Sequence, residues 1–125
     1  MDCHIMGDSI AVGVRQEMRE CSVKAVAGAS AAGATNMVRD ADILIVSVGS
    51  NHPRDPALRD HLEAIRSRAT GRVIWISPAD HVAARMVREV AAAFGDAIVT
   101  FETNLDRVHP RSYKALARDV RKAMK

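Results

Sequence analysis

Aromatic residues are scarce in this sequence, which has one tryptophan, one tyrosine and two phenylalanines among 125 residues. Surfaces that bind nucleic acid by stacking bases need exposed aromatic side chains, so this scarcity argues against such a surface. Long apolar runs are missing too, since no stretch approaches the roughly 20 apolar residues that span a bilayer. No positively charged leader precedes the first apolar run. We therefore expect a soluble, unexported protein that binds neither nucleic acid nor membrane.

Cysteine is equally rare, with only Cys3 and Cys21 in the chain. Each lies near the start of an apolar run, where free cysteine commonly behaves as a small buried hydrophobe. A chain with 48% hydrophobic residues does not need a disulfide to build its core. We predict reduced, structural thiols, with a disulfide between them as the alternative. No histidine or cysteine pair has zinc spacing, so neither a metal nor another cofactor is expected.

The charge of the chain is close to balanced, with a formal net charge of +3. Basic residues gather only near the C-terminus, at Lys114, Arg118, Arg121, Lys122 and Lys125. We interpret this cluster as a solvated helix face. The length suits one domain over residues 1–125, of a size that a small bacterial or phage-encoded enzyme has.

Short, β-branched apolar runs alternate with helical patterns along the whole chain. The predicted strands are residues 3–6, 23–27, 43–48, 73–76 and 97–101, and the predicted helices are residues 10–20, 30–40, 56–69, 80–94 and 111–124. Such alternation predicts right-handed crossovers with helices on both faces of a parallel sheet. The fold class is therefore α/β, a three-layer α/β/α sandwich with a five-stranded parallel sheet in the flavodoxin-like order 2-1-3-4-5.

The residues that follow each strand matter most, because ligands of open α/β sheets bind beyond the carboxyl ends of the strands. Gly7-Asp8-Ser9 follows the first strand and places a hydroxyl at a helix N-terminus, whose N–H groups are unpaired. Ser9 could instead be the N-cap of that helix. Gly28 follows the second strand, where it either lets a backbone N–H approach a ligand or simply forms a turn.

Polar residues also follow the third and fifth strands. Asn51 could donate to an oxyanion from its side chain, or form a turn before Pro53. Asp106 precedes His109 by three residues, so it could hold one imidazole tautomer, or the two could be a surface pair at a helix start. The extended connection from Glu102 can span roughly 23 Å, which exceeds the roughly 14 Å between the fifth and first strands.

These segments, in this order, resemble the signature blocks of the SGNH (GDSL-like) hydrolase superfamily, whose members are esterases, lipases and thioesterases. The matching segments are Gly7-Asp8-Ser9, Gly28, Gly49-Ser50-Asn51 and Asp106-Arg107-Val108-His109-Pro110. Two positions depart from the family pattern. His52 replaces an aspartate that often follows the block-three asparagine, and Ala27 replaces an asparagine that often precedes the block-two glycine.

The resemblance implies a small single-domain serine hydrolase. Ser9 would attack an ester carbonyl, His109 would act as general base and then acid, and Asp106 would orient His109. The backbone N–H groups of Ser9 and Gly28 and the side chain of Asn51 would form the oxyanion hole. Asp8 belongs to the motif but not to the triad.

Two further histidines border the predicted site. His52 either contacts substrate or lies in an exposed loop, and the loop is the interpretation that we prefer. His81 follows the fourth strand, so it is a rival base or a substrate contact. We prefer His109 as the base, because Asp106 and Pro110 complete the family block around it.

The predicted connections are short and leave no room for a lid, which predicts a shallow, open site. Such a site favours small acyl groups, and an O-acetyl group on a carbohydrate is one such ester. The alternatives are a lysophospholipase or thioesterase of the same superfamily, or a non-catalytic carbohydrate-binding module on the same fold. A flavodoxin-like nucleotide binder ranks last, because Asp8 would repel phosphate and no Gly-rich fingerprint follows. The oligomeric state is left open.

Overall fold

Five parallel strands form a single sheet in the computed structural model, which describes residues 1–125. The strands are β1 (Cys3–Gly7), β2 (Ser22–Ala25), β3 (Ile43–Ser47), β4 (Arg72–Ile76) and β5 (Ala97–Val99). Their order is β2-β1-β3-β4-β5, and each neighbouring pair is parallel. The predicted fold class and strand order are confirmed. All parallel strands end at the same edge of the sheet, so the segments singled out above share one edge.

Five α-helices connect and cover the strands: α1 (Ser9–Glu17), α2 (Ala31–Ala34), α3 (Leu58–Arg68), α4 (His81–Phe94) and α5 (Tyr113–Ala123). The helix predicted over residues 30–40 is the poorest match. It reduces to α2 and one 3-10 turn, because Gly33, Thr35 and Asn36 all have low helix propensity. None of the helices has the length and apolarity that crossing a membrane requires.

Two apolar cores lie on opposite faces of the sheet. Side chains of α1 and α5 pack against one face, and side chains of α2, α3 and α4 pack against the other. Trp75 of β4 is fully buried in the second core, and its indole N–H donates to Asp96 over 2.9 Å. Asp96 also accepts from Arg66, over 2.8 Å. The buried indole therefore keeps its hydrogen bond, as an interior tryptophan requires.

The prediction of reduced cysteines is wrong, because Cys3 and Cys21 form a disulfide with a Cα–Cα distance of 4.8 Å. The cause lies in the register of the sheet. His4 of β1 pairs with Ser22 of β2. Cys3 and Cys21 each directly precede one of these residues, so they lie side by side. Both sulfurs are buried, which is why burial alone favoured a pair of free thiols.

Candidate active site

The last residue of β1 occupies a position where only glycine fits. Gly7 has a φ of +133°, and a Cβ there would lie 1.8 Å from the carbonyl oxygen of Ser47 in β3. The next N–H, of Asp8, donates to that same carbonyl over 3.1 Å. The close approach fixes the end of β1 against β3 and delivers Ser9 as the first residue of α1.

Asp8, not Ser9, is the N-cap of α1. Its Oδ1 accepts from the N–H of Ile10 over 3.1 Å and from the Ser47 hydroxyl over 3.0 Å. The carboxyl is fully buried, its Oδ2 has no partner, and burial raises its pKa above the usual range. The interpretation of Ser9 as the cap is therefore wrong, and the Ser9 hydroxyl is left for another partner.

That partner is His109. The Ser9 Oγ lies 3.0 Å from His109 Nε2, although the two residues are 100 positions apart in the chain. On the other side of the ring, His109 Nδ1 lies 2.6 Å from Asp106 Oδ2. With Nδ1–H donating to the carboxylate, Nε2 is left as an acceptor for the hydroxyl proton. The structure thus brings Ser9, His109 and Asp106 together in one chain of hydrogen bonds.

Residues 102–111 form a hairpin that carries Asp106 and His109. The N–H of Arg111 donates to the Glu102 carbonyl over 2.7 Å, and the N–H of Asn104 donates to the His109 carbonyl over 2.9 Å. Thr103 and Pro110 form an antiparallel bridge between these two bonds. The pair is therefore held on an ordered ladder rather than on a free loop.

Asn104 is a site residue that the sequence analysis missed. Its Oδ1 accepts from the N–H of Asp106 over 2.9 Å, and its carbonyl accepts from the N–H of Arg107 over 3.1 Å. Together with its own N–H bond to His109, Asn104 thus contacts both partners of the Asp106–His109 pair. Asparagine commonly forms Asx turns by bonding to the backbone two residues further on. Asn104, two residues before Asp106, was therefore the sequence signal that could have indicated this role.

Asp106 is kept ionised by its own hairpin. Its Oδ1 accepts from the backbone N–H groups of Val108 and His109 over 2.8 and 2.9 Å. These backbone bonds are the main cause, followed by the His109 side chain, and they lower the pKa of Asp106 to about 2. A carboxylate that stays charged at every physiological pH can stabilise an imidazolium beside it.

The two remaining oxyanion candidates lie at the same sheet edge. Asn51 donates from Nδ2 to the carbonyl of Ala29 over 3.0 Å, which ties the segment after β3 to the turn that contains Gly28. Gly28 has a φ of +85°, and nothing lies within 4 Å of the position a Cβ would take. That turn is tied to β1 by the N–H of Val26, which donates to the Gly7 carbonyl over 2.9 Å. Asn51 keeps a second amide N–H for a ligand.

Comparison with solved structures shows that the fold also occurs in another protein. The chain matches no family model and no curated protein sequence. It is similar to the C-terminal catalytic domain of Streptococcus pneumoniae peptidoglycan O-acetyltransferase A, solved with a methylsulfonyl adduct, with a TM-score of 0.68 and 14% identity. The match covers 98% of this chain and 92% of that one. At this identity the comparison shows a shared fold over nearly the whole length of both chains.

The side chains of His52 and His81 form no hydrogen bond to Ser9, His109 or Asp106. Both are exposed, and the ring nitrogen that reaches Ser9 belongs to His109. His52 has a left-handed φ of 54°, and His81 begins α4. Substrate contact by either histidine stays a prediction.

The candidate site opens directly to solvent. The side chains of His109 and Asp106 are 38% and 46% exposed, and Leu105 at the tip of the hairpin is fully exposed. A groove of about 410 Å³ lies behind the hairpin, between Phe101 and Ser112, but none of the hydrogen-bonded triad lines it. The arrangement agrees with the expectation of a shallow site without a lid.

Proposed function

We propose that this protein is a serine hydrolase of the SGNH type that cleaves small carboxylic esters through Ser9, His109 and Asp106. The observation that carries the proposal is the pair of hydrogen bonds, 3.0 Å from Ser9 to His109 and 2.6 Å from His109 to Asp106. Acyl transfer by a serine requires a nucleophile bonded to a base, and a carboxylate that orients the base. The two hydrogen bonds connect the three residues in this order. The fold that the chain shares with an O-acetyltransferase catalytic domain supports acetyl as the acyl group.

In this mechanism, Ser9 Oγ attacks the ester carbonyl while His109 Nε2 accepts the hydroxyl proton. Asp106 stabilises the imidazolium that forms. The tetrahedral oxyanion is bound by the backbone N–H groups of Ser9 and Gly28 and by the free amide N–H of Asn51. The alcohol leaves with the proton from His109, and an acyl-enzyme remains on Ser9.

Water then completes the reaction. His109 removes a proton from a water molecule, which attacks the acyl-enzyme, and Ser9 leaves with that proton. The exposure of His109 and Asp106 gives water free access to the acyl group, which favours hydrolysis over transfer to another hydroxyl. The same openness offers no enclosed pocket for a long acyl chain, so short esters such as O-acetyl groups on carbohydrates are the proposed substrates.

The test is hydrolysis of p-nitrophenyl acetate, butyrate and octanoate by the parent and by the Ser9→Ala and His109→Ala variants. We expect the acetate to be the best substrate and each variant to lose activity by about 10³-fold or more. Ser67→Ala and His61→Ala are matched controls. Ser67 is exposed on α3, His61 Nε2 lies 3.5 Å from Asp55 Oδ2, and neither side chain bonds to the triad.

Four outcomes would contradict the proposal. Full activity in Ser9→Ala would remove the nucleophile, and loss in His81→Ala with none in His109→Ala would make His81 the base. No turnover of any ester by the parent would leave a carbohydrate-binding module as the better interpretation. A preference for octanoate would favour a lysophospholipase or a thioesterase.

A further inference from the structure

The outer face of α5 carries a row of basic side chains, which we call the α5 basic stripe. All its members are exposed, and together they line a groove of about 410 Å³ that no acidic or apolar residue lines: Lys114, Arg118, Arg121, Lys122 and Lys125. The apolar residues of α5, including Leu116 and Val120, face the core instead. The residues that line this groove are therefore all basic.

Most of this charge has no partner within the protein. Arg121 is bonded to Glu20, over 3.0 and 3.1 Å, and the other members of the stripe form no ion pair within 4.0 Å. Lys114, Arg118 and Lys122 repeat at a spacing of four, which stacks like charges on successive turns and costs helix stability. An external polyanion would offset that repulsion.

The stripe begins beside the proposed active site. Tyr113, the first residue of α5, has its ring against α1, where a Cβ on Gly13 would lie 2.2 Å from it. Ser9 begins that same helix α1. Burial, and then the negative charges of Asp8 and Asp106, raise the pKa of Tyr113, as its position near both carboxyls requires.

From there the stripe leads away along the side of the molecule. At its other end, Arg72 at the start of β4 donates to the carbonyls of Ala123 and Met124, both over 2.8 Å. The start of β4 is the sheet edge opposite the proposed site. The stripe thus extends for roughly 16 Å, at the 1.5 Å rise per residue of an α-helix. A surface of this length and direction suits an extended polymer whose ester lies at Ser9.

We propose that the α5 basic stripe binds an anionic polysaccharide that carries the ester cleaved at Ser9. The proposal rests on the proposed function, and it narrows the substrate to a carbohydrate polymer with carboxylate or similar acidic groups. Two other polyanions fit less well. The stripe has no exposed apolar residue to insert into a lipid surface, and it has no aromatic side chain on which bases could stack.

The test measures binding and hydrolysis separately. Binding of unesterified polygalacturonate and of neutral dextran is measured by calorimetry for the parent, for Arg118→Gln/Lys122→Gln and for Arg85→Gln/Arg88→Gln. The last variant removes the same charge from two exposed arginines of α4, on the other face of the sheet. Hydrolysis of acetylated polygalacturonate and acetylated dextran is then compared, with p-nitrophenyl acetate as the reporter of Ser9 in the parent.

We expect the parent to bind polygalacturonate but not dextran, and to lose that binding at high ionic strength. Arg118→Gln/Lys122→Gln should weaken binding about tenfold and raise KM for acetylated polygalacturonate to match, whereas Arg85→Gln/Arg88→Gln should leave both unchanged. Equal binding of the two polymers, or no effect of Arg118→Gln/Lys122→Gln, would overturn the proposal. So would tighter binding to duplex DNA or to phosphatidylserine vesicles.

The two proposals fail in different ways. Turnover of p-nitrophenyl acetate without preference for the acidic polymer leaves the esterase in place and overturns the role of the stripe. Stripe-dependent binding of polygalacturonate without any ester turnover overturns the esterase, and with it the ester-bearing substrate proposed here.

Discussion

Two aspartates of the candidate site differ in their surroundings and therefore in their protonation. Asp8 is buried and its pKa is raised, whereas Asp106 is exposed and its pKa is lowered to about 2. Hydrogen bonds from backbone N–H groups stabilise a charged carboxylate, and burial penalises it. Asp8 thus suits a structural cap beneath the nucleophile, and Asp106 suits a permanent negative charge beside His109.

The lowered pKa of Asp106 predicts how pH affects the site. A carboxyl with a lowered folded pKa contributes stability that is present above its unfolded value of 3.8 and is lost as pH falls through about 2. Asp106 should therefore remain ionised wherever the protein is assayed, so its protonation should add no second proton to the acidic limb of kcat/KM. A pH-rate profile with p-nitrophenyl acetate checks this, and two protons in the acidic limb would contradict it.

Replacing Asp106 separates its charge from its shape. Asp106→Asn keeps an acceptor for the N–H groups of Val108 and His109 but removes the charge that stabilises the imidazolium. We expect kcat to fall by about 10²-fold to 10⁴-fold with little change in the fold. Activity near the parent value would show that the 2.6 Å contact to His109 does not support catalysis.

Asn104 should act through Asp106 and His109 rather than on substrate. Asn104→Ala removes the acceptor for the Asp106 N–H, so the hairpin holds Asp106 and His109 less firmly in position. We therefore expect kcat to fall about tenfold to a hundredfold while KM stays unchanged. Asn104→Asp, which can form the same Asx turn, should restore most of the activity. Asn36→Ala on the surface is the control, and a change in KM alone would contradict a positioning role.

At the scale of elements, the contact between α1 and α5 depends on one missing side chain. A Cβ on Gly13 would lie 2.2 to 2.6 Å from three ring carbons of Tyr113, so Gly13→Ala should force the two helices apart and cost about 1 to 3 kcal/mol. Urea unfolding measures the free energy. In Gly13→Ala/Tyr113→Ala the clash is absent, and the alanine at 13 should then be tolerated.

Gly33 in α2 is the matched control for that substitution. A Cβ there meets only the Ser30 hydroxyl, at an ordinary 3.5 Å, so Gly33→Ala should raise stability by up to about 1 kcal/mol through helix propensity. If Gly13→Ala also raises stability, propensity and not packing decides at Gly13.

The disulfide links β1 to the segment before β2 and acts on the stability of that whole unit. Cys3 and Cys21 are separated by 18 positions, and closing a loop of this size stabilises a fold by about 3 kcal/mol through the unfolded chain. Cys3→Ala/Cys21→Ala should therefore unfold at lower urea concentration than the oxidised parent. Thiol titration of the parent without reductant should find no free thiol, and two free thiols would contradict the pairing.

At the scale of the whole molecule, the sheet order could be predicted because short β-branched strands alternate with helical patterns along the sequence. The contacts among Ser9, His109 and Asp106 were expected because four segments, in order, resemble the blocks of one hydrolase superfamily, whereas each segment alone also fitted a turn or a helix cap. The Cys3–Cys21 pairing could not be read in this way, since it depends on the register of His4 with Ser22. The local sequence also did not show that Ser47, which lies 39 positions from Asp8, donates a second hydrogen bond to the carboxyl that caps α1.

Ser9 and His109 are 100 positions apart in the sequence, and four of the five strands, β2 to β5, lie between them. During synthesis the proposed nucleophile emerges first and its proposed base emerges long after it, so an incomplete nascent chain cannot form the Ser9–His109 hydrogen bond. A protease cut in any intervening loop would likewise divide the reactive pair between two fragments. If the proposed esterase activity returned when the two fragments were mixed, that activity would measure how much of the complete fold had reassembled.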